Sequence, residues 1–197
     1  MLLAGWYALL GRLLEPRDLV VGVAFAGRTY EGLDDAPGLF ARYLPLAASP
    51  AAAATFADLL EQTRRAAQTA AELQEYWSWD VPPRAGAADL QRLPFGFEYV
   101  AYPPAFAAAD VTFELAWASA TIDSFKLRLA CAAHGRELVA ELHYDPAVYS
   151  GATIALLAER FATLLESLLA EPGRPLAAAE LIGPAERALL LDTLNAT

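Results

Sequence analysis

"FKLRLACAAHGRELVAELHYDPAVYSGATIALLAERFATLLESLLA", residues 125–170, holds two kinds of periodicity. Over 125–133 and 137–145 apolar and polar side chains alternate, the period-2 signature of strands with one buried face. Phe125, Leu127, Leu129 and Cys131 share one face of the first strand. Leu138, Ala140, Leu142 and Tyr144 share one face of the second, with Glu137, Glu141 and His143 on the other. His134-Gly135-Arg136 between them is a short hairpin connection, with Gly135 free to take a positive φ. From Ser150 the period becomes helical. Ile154, Leu157, Phe161, Leu164, Leu165 and Leu168 form one apolar stripe, and Ser150 is placed to cap it. A hairpin followed by a long amphipathic helix that packs on it predicts an α+β layered fold.

The segments upstream extend that pattern. Residues 94–102 and 110–118 read as strands. Residues 51–77 read as a long helix with Phe56, Leu59, Leu60 and Thr63 on one face. Residues 18–28 form a nearly continuous apolar run, as a strand buried on both faces requires. Residues 38–46, "GLFARYLPL", read as extended, with Pro45 best suited to an edge or a strand end. Leu2, Leu3, Trp6, Leu9, Leu10, Leu13 and Leu14 fall at helical spacing, and Glu15-Pro16 stops that helix. No capping residue precedes it, so the sequence is expected to be cut from a longer one. Residues 174–197 hold one short helix from about Pro184 and read as a connector.

Composition narrows the function classes. The 197 residues suffice for one domain or one large lobe, and 56% are hydrophobic. The formal net charge is −10, with Lys126 the single lysine among 14 cationic side chains. An acidic chain without a basic cluster argues against nucleic acid and against anionic membranes as partners. Cys131 is the only cysteine, so no internal disulfide and no multi-cysteine metal site can form, and its apolar neighbours predict a buried structural thiol. No run reaches the ~18 apolar residues of a membrane span. The first residues lack the basic leader of a secretory signal, since Arg12 follows the apolar stretch.

Catalytic motifs are absent. The two histidines, His134 and His143, are expected to face solvent, and neither has a second histidine at ligand spacing, which disfavours zinc. There is no nucleophile elbow, phosphate-binding loop or dinucleotide fingerprint. Asp34-Asp35 reads as a solvated turn. By motif chemistry the chain is not a self-sufficient enzyme.

"DLVVGVAFAGR" (18–28), "GLFARYLPL" (38–46), "LPFGFEYV" (93–100) and the stretch from "ELHYDP" to the end resemble, in that order, the C-terminal half of the condensation domain of nonribosomal peptide synthetases. The closing "ERALLLDTLNAT" is similar to the connector leading to a following adenylation domain. The resemblance implies a chloramphenicol-acetyltransferase-like lobe, a two-layer α+β sandwich of mixed β-sheet and long helices, over residues 1–172, with 173–197 as connector. It implies a cytoplasmic protein that helps form peptide bonds between carrier-bound thioesters. The catalytic His-His-x-x-x-Asp-Gly belongs to the N-terminal lobe in that family, and no such pair occurs here. The implied partners are that N-terminal lobe, peptidyl carrier proteins and the downstream adenylation domain. No cofactor is bound directly; the substrates ride on the carriers' 4'-phosphopantetheine arms.

By the same resemblance, Ala26, Gly27, Arg28, Arg42 and Tyr43 are substrate-channel candidates. Gly38, Phe40, Leu44 and Pro45 pack where the lobes meet. Arg42 and Tyr43 stand where the family has Asn-Thr, and Ala26 where it often has Ser. The family's His-Gln-Asp-x-Pro-Phe-Glu is reduced to "LQEYWSW" (73–79). These departures leave a second reading open: a degenerate, epimerization-like or starter-type module that recruits a carrier protein or tailoring enzyme without catalysis. A lobe acting on free CoA thioesters is a third, poorly supported by one lysine and scattered arginines.

Overall fold

A computed structural model describes residues 1–14, 18–33, 36–51, 54–78, 93–116, 118 and 125–193. The chain forms two compact units. One comprises residues 1–20, 46–72 and 149–197, the other 21–45 and 73–148.

The first unit is mainly helical. Helix α1 (Leu2–Leu14) and helix α3 (Gly151–Ala170) meet through Trp6 and Phe161, edge to face with ring centroids 6.1 Å apart. Trp6 and Leu9 are fully buried, as the spacing of the apolar residues requires. Tyr7 donates from its hydroxyl to the Leu46 carbonyl at 2.6 Å, so the polar end of a buried ring is satisfied. Arg12 Nη1 donates to the carbonyls of Leu176 (2.8 Å) and Ala179 (3.1 Å), and both of those residues are buried. Helix α2 spans Phe56–Leu73 and continues into a 3-10 turn at Gln74–Tyr76. It starts later than the alanine content predicts, because Thr55 and Asp58 form a reciprocal cap: Asp58 N donates to Thr55 Oγ1 at 3.1 Å and Thr55 N to Asp58 Oδ2 at 3.0 Å. Phe56, Leu59 and Thr63 are buried, whereas Leu60 lies at the exposed side.

Ser150 caps α3 as expected, accepting the Thr153 amide at 3.1 Å. Ser150→Ala is expected to lower stability by about 1 kcal/mol, read as a shift in urea midpoint. An unchanged midpoint would mean that water replaces the cap without loss. The short α4 (Pro184–Ala188) follows the predicted Pro184, and Arg160 of α3 forms a two-point ion pair with its Glu186.

The second unit is built on sheet. Strands β1 (Leu19–Phe25), β2 (Arg42–Ala48), β3 (Phe95–Ala101), β6 (Leu127–His134) and β7 (Glu137–Tyr144) form a five-stranded sheet in the order β2-β1-β3-β6-β7. Pairs β1–β3 and β3–β6 are parallel, and β6–β7 is an antiparallel hairpin closed at Gly135 (φ 58°). Strand β2 lies at an edge, where Pro45 costs no central ladder bond. The strand expected over 110–118 is reduced to β5 (Val111–Phe113), paired in a separate ribbon with β4 (Phe106–Ala108). Phe106 and Phe113 stack there at 6.4 Å, a local pairing that periodicity alone did not reveal.

One further expectation is corrected. Phe125 does not share the face of Leu127. It lies over Gly22 and Gly96, which are partners in the β1–β3 ladder; a Cβ on either would come within 2.6 and 2.8 Å of its ring. The glycines leave the room that the ring occupies.

Candidate functional site

One face of the second unit's sheet carries most of its charge. The register aligns Gly22, Gly96, Arg128 and His143 across the strands, and Glu98, Ala130 and Glu141 in the next row. Side chains two apart share a face, so these rows stack on the same side. The opposite face carries Phe95, Phe97, Leu127, Leu129 and Cys131, all buried. Ala130 and Ala132 between the charged residues leave a cleft of about 200 Å³, lined among others by Glu98, Tyr102, Arg128, His134, Glu141 and His143.

Arg128 anchors this cleft. Only 4% of it is exposed. Its Nη1 donates to Glu98 Oε2 at 3.0 Å and to Tyr43 Oη at 3.1 Å, while the Tyr43 hydroxyl donates to the same Glu98 oxygen at 3.0 Å. Tyr43 also tilts against Phe125, ring centroids 4.9 Å apart. Burial pushes the Tyr43 phenol up to about 12; the Arg128 hydrogen bond works against that shift and the Glu98 charge adds to it. At the far end His143 Nε2 lies 3.1 Å from Glu141 Oε2, and His134 Nε2 lies 2.9 Å from Glu114 Oε1. Both histidines are half-buried and each has a carboxylate partner, so neither simply faces solvent. Among the described residues no three His, Cys, Asp or Glu side chains converge as a metal site would need.

The sequence-derived candidates divide between two places. Tyr43 joins the cleft network. Arg42, its neighbour on β2, instead donates from Nη1 to the Gln74 carbonyl at 3.0 Å and lies 3.6 Å from Glu75 Oε2. Thr29 reaches the other Glu75 oxygen at 2.9 Å. Three stretches singled out from the sequence, around 27–29, 42–43 and 74–75, therefore come together. Arg28 braces its own loop: Nη1 donates to the carbonyls of Leu33 and Ala36, and the guanidinium lies 4.7 Å over the Phe40 ring. Gly27 is buried at φ 67°, against the Phe40 carbonyl. Ala26 and Gly38 are exposed, Leu44 is buried, and Phe40 and Pro45 are half-buried. Trp79 and Asp34-Asp35 lie outside the described residues.

Sequence reasoning missed Glu98 and Arg128. Each sits on a strand at the same parity as a glycine or alanine, a pattern that marks an open face. Their partnership depends on the β3–β6 register, which no local pattern fixes.

Cys131 is buried as predicted, and burial pushes its thiol up to about 11. Both this thiol and Tyr43 have raised values in the folded state. Their neutral forms thus add stability that is complete below the unfolded values, about 9 and 10, and is lost as pH rises through about 11 and 12. Unfolding free energy is expected to fall steadily from pH 9 to 11. A flat profile over that window would contradict the burial of both groups.

The family described as the condensation domain matches residues 1–191. The chain is 28% identical to tyrocidine synthase 3 of Brevibacillus parabrevis over 99% of its own length and 3% of that protein. It is 26% identical to surfactin synthase subunit 2 of Bacillus subtilis over 100% of its length and 6% of that protein. Among solved structures it is similar to the first condensation domain of the CDA synthetase (TM-score 0.75, 21% identity, 92% of this chain and 41% of that one). It is also similar to the starter condensation domain of rhizomide synthetase in complex with C8-CoA (TM-score 0.77, 19% identity, 92% and 42%). The α+β architecture with a mixed sheet is thus that of condensation domains, and the chain spans about two-fifths of the length of these structures. With residues 1–191 matched, the chain belongs to the condensation-domain family of nonribosomal peptide synthetases.

Proposed function

We propose that this chain is the C-terminal lobe of a condensation domain and builds one wall of the channel in which a carrier-bound amine attacks a carrier-bound thioester. The observation that carries this reading is the polar, cleft-bearing sheet face. It presents a buried guanidinium, a phenol and carboxylates in a family-matched chain that has no adjacent histidine pair. Such a face can position and orient, and positioning supplies much of the rate in a two-substrate reaction. The base is supplied by an N-terminal lobe, and peptidyl carrier proteins deliver both substrates on 4'-phosphopantetheine arms. Ala26, Gly27, Arg28, Arg42 and Tyr43 border the channel in this reading, with Gly38, Phe40, Leu44 and Pro45 shaping the segment beside it. An adenylation domain follows residues 173–197. Among the described residues no helix is long and apolar enough to cross a membrane.

A recruiting role without catalysis draws on one observation: Arg42 and Tyr43 are both engaged with side chains or carbonyls of their own unit. One assay separates the two. The chain is mixed with a condensation N-terminal lobe carrying His-His-x-x-x-Asp-Gly, and with aminoacyl-loaded donor and acceptor carrier proteins. Amide product is expected from the mixture and from neither half alone. Binding of a carrier protein without product from any such mixture would favour recruitment.

A further inference from the structure

Glu98 stands apart from the other carboxylates of the cleft in how it is held. Its side chain is 31% exposed, whereas that of its ion-pair partner Arg128 is 5% exposed. The guanidinium lies inside and the carboxylate at the cleft surface. Arg128 and Tyr43 converge on a single oxygen, Oε2. A buried arginine is an expensive way to stabilise a sheet, since an apolar side chain of similar volume does as well or better. What the arrangement provides is a carboxylate fixed in position by a guanidinium and a phenol.

The rest of the lining sets the sign of the ligand. Among the described lining residues Glu98, Glu137 and Glu141 bring three carboxylates, and Arg128 is the single guanidinium. Carboxylates thus outnumber guanidinium groups three to one among the described lining residues. An anion is therefore repelled and a cation attracted. The floor between the charges is Val100, Ala130 and Ala132, which suits a methylene chain leading to a charged end.

We propose that Glu98 is a specificity-determining residue that receives the side-chain ammonium of a basic aminoacyl unit, with Arg128 and Tyr43 as its positioning residues. The reacting amine is not the group received. A nitrogen held as an ammonium has its lone pair tied up in an N–H bond and cannot attack a thioester. The cation bound to Glu98 is therefore the far end of the side chain. This inference rests on the condensation reading for its substrate, but binding tests it without any condensation.

The test uses the full chain and two small probes, lysinamide and norleucinamide, which differ at the terminal ammonium alone. Each is titrated while amide resonances of the chain are followed by NMR. Lysinamide is expected to bind about tenfold more tightly, the effect of one partly solvated charge-assisted hydrogen bond, with shifts at Val100, Ala130 and Ala132. In Glu98→Gln the ratio is expected to approach one; in Glu98→Asp, which keeps the charge, part of the preference is expected to survive. Equal affinity of the two probes for the unaltered chain overturns the proposal, whatever the variants do. So does a preference that persists undiminished in Glu98→Gln. If the preference is found but the complementation assay gives no product, the cation site stands and the condensation reading falls. Product without any preference has the reverse meaning.

Discussion

Glu98→Ala is expected to lower the unfolding free energy by about 3–5 kcal/mol, more than its half-exposed position suggests. The loss does not come from Glu98 itself but from Arg128. Arg128 is only 4% exposed, and a guanidinium is costly to bury without a carboxylate beside it. In the folded protein its charge is balanced by the Glu98 carboxylate at 3.0 Å. Remove the carboxylate, and that buried charge loses its partner at 3.0 Å. Glu98→Gln keeps an acceptor oxygen and is expected to cost about 1–2 kcal/mol. Replacing both partners, with Glu98→Leu and Arg128→Met together, is expected to recover most of the stability lost in Glu98→Ala, since no buried charge remains. Urea unfolding of the four proteins makes the comparison. If Glu98→Ala costs less than about 1 kcal/mol, the ion pair behaves as a surface pair and Arg128 is solvated. A double variant as unstable as Glu98→Ala would show that shape, not charge, holds this part of the sheet.

The contrast between Arg128 and the helices shows which parts of this protein could be read from its sequence. Helix α3 was legible to its first residue, because an apolar stripe and a capping serine are both local signals. Helix α1 and the β6–β7 hairpin were legible for the same reason. The start of α2 was misplaced by the alanines at 51–54, whose propensity is high, when the Thr55–Asp58 cap decides the boundary. Alternation puts Phe125 with Leu127, but Phe125 lies two residues before the strand begins and is not bound by its pleat. The glycines that receive its ring lie about 30 and 100 residues earlier, at 96 and 22, and are joined by a parallel ladder. The candidate site divides along the same line. Gly27, Arg28, Arg42 and Tyr43 were found through a family-like motif in the chain. Glu98 and Arg128 were not, because their meaning lies in a register set by the whole sheet. Tyr43 bridges the two groups: visible in the motif, yet explained by its bond to Glu98.

Gly27→Ala is the second substitution with a large expected effect, about 2–4 kcal/mol, and two separable costs contribute. The first is conformational: at φ 67° an alanine occupies the left-handed region, which costs about 1–2 kcal/mol. The second is steric. A Cβ at Gly27 would lie 1.8 Å from the Phe40 carbonyl oxygen, and a backbone atom cannot rotate away as a side chain can. Either the segment leading into β2 or the end of β1 must move. That movement is resisted by Arg28, which holds the carbonyls of Leu33 and Ala36 and covers the Phe40 ring. Gly135→Ala separates the terms. Gly135 has φ 58° at the hairpin tip with nothing within 4 Å of its would-be Cβ, so that variant carries the conformational cost alone. Gly27→Ala is therefore expected to exceed Gly135→Ala by at least about 1 kcal/mol in urea unfolding. Equal costs would mean that the loop yields freely and that Arg28 does not brace it. The expected excess would mean that Arg28 holds Gly27 and Phe40 firmly against each other, next to the strand that carries Tyr43 to Glu98.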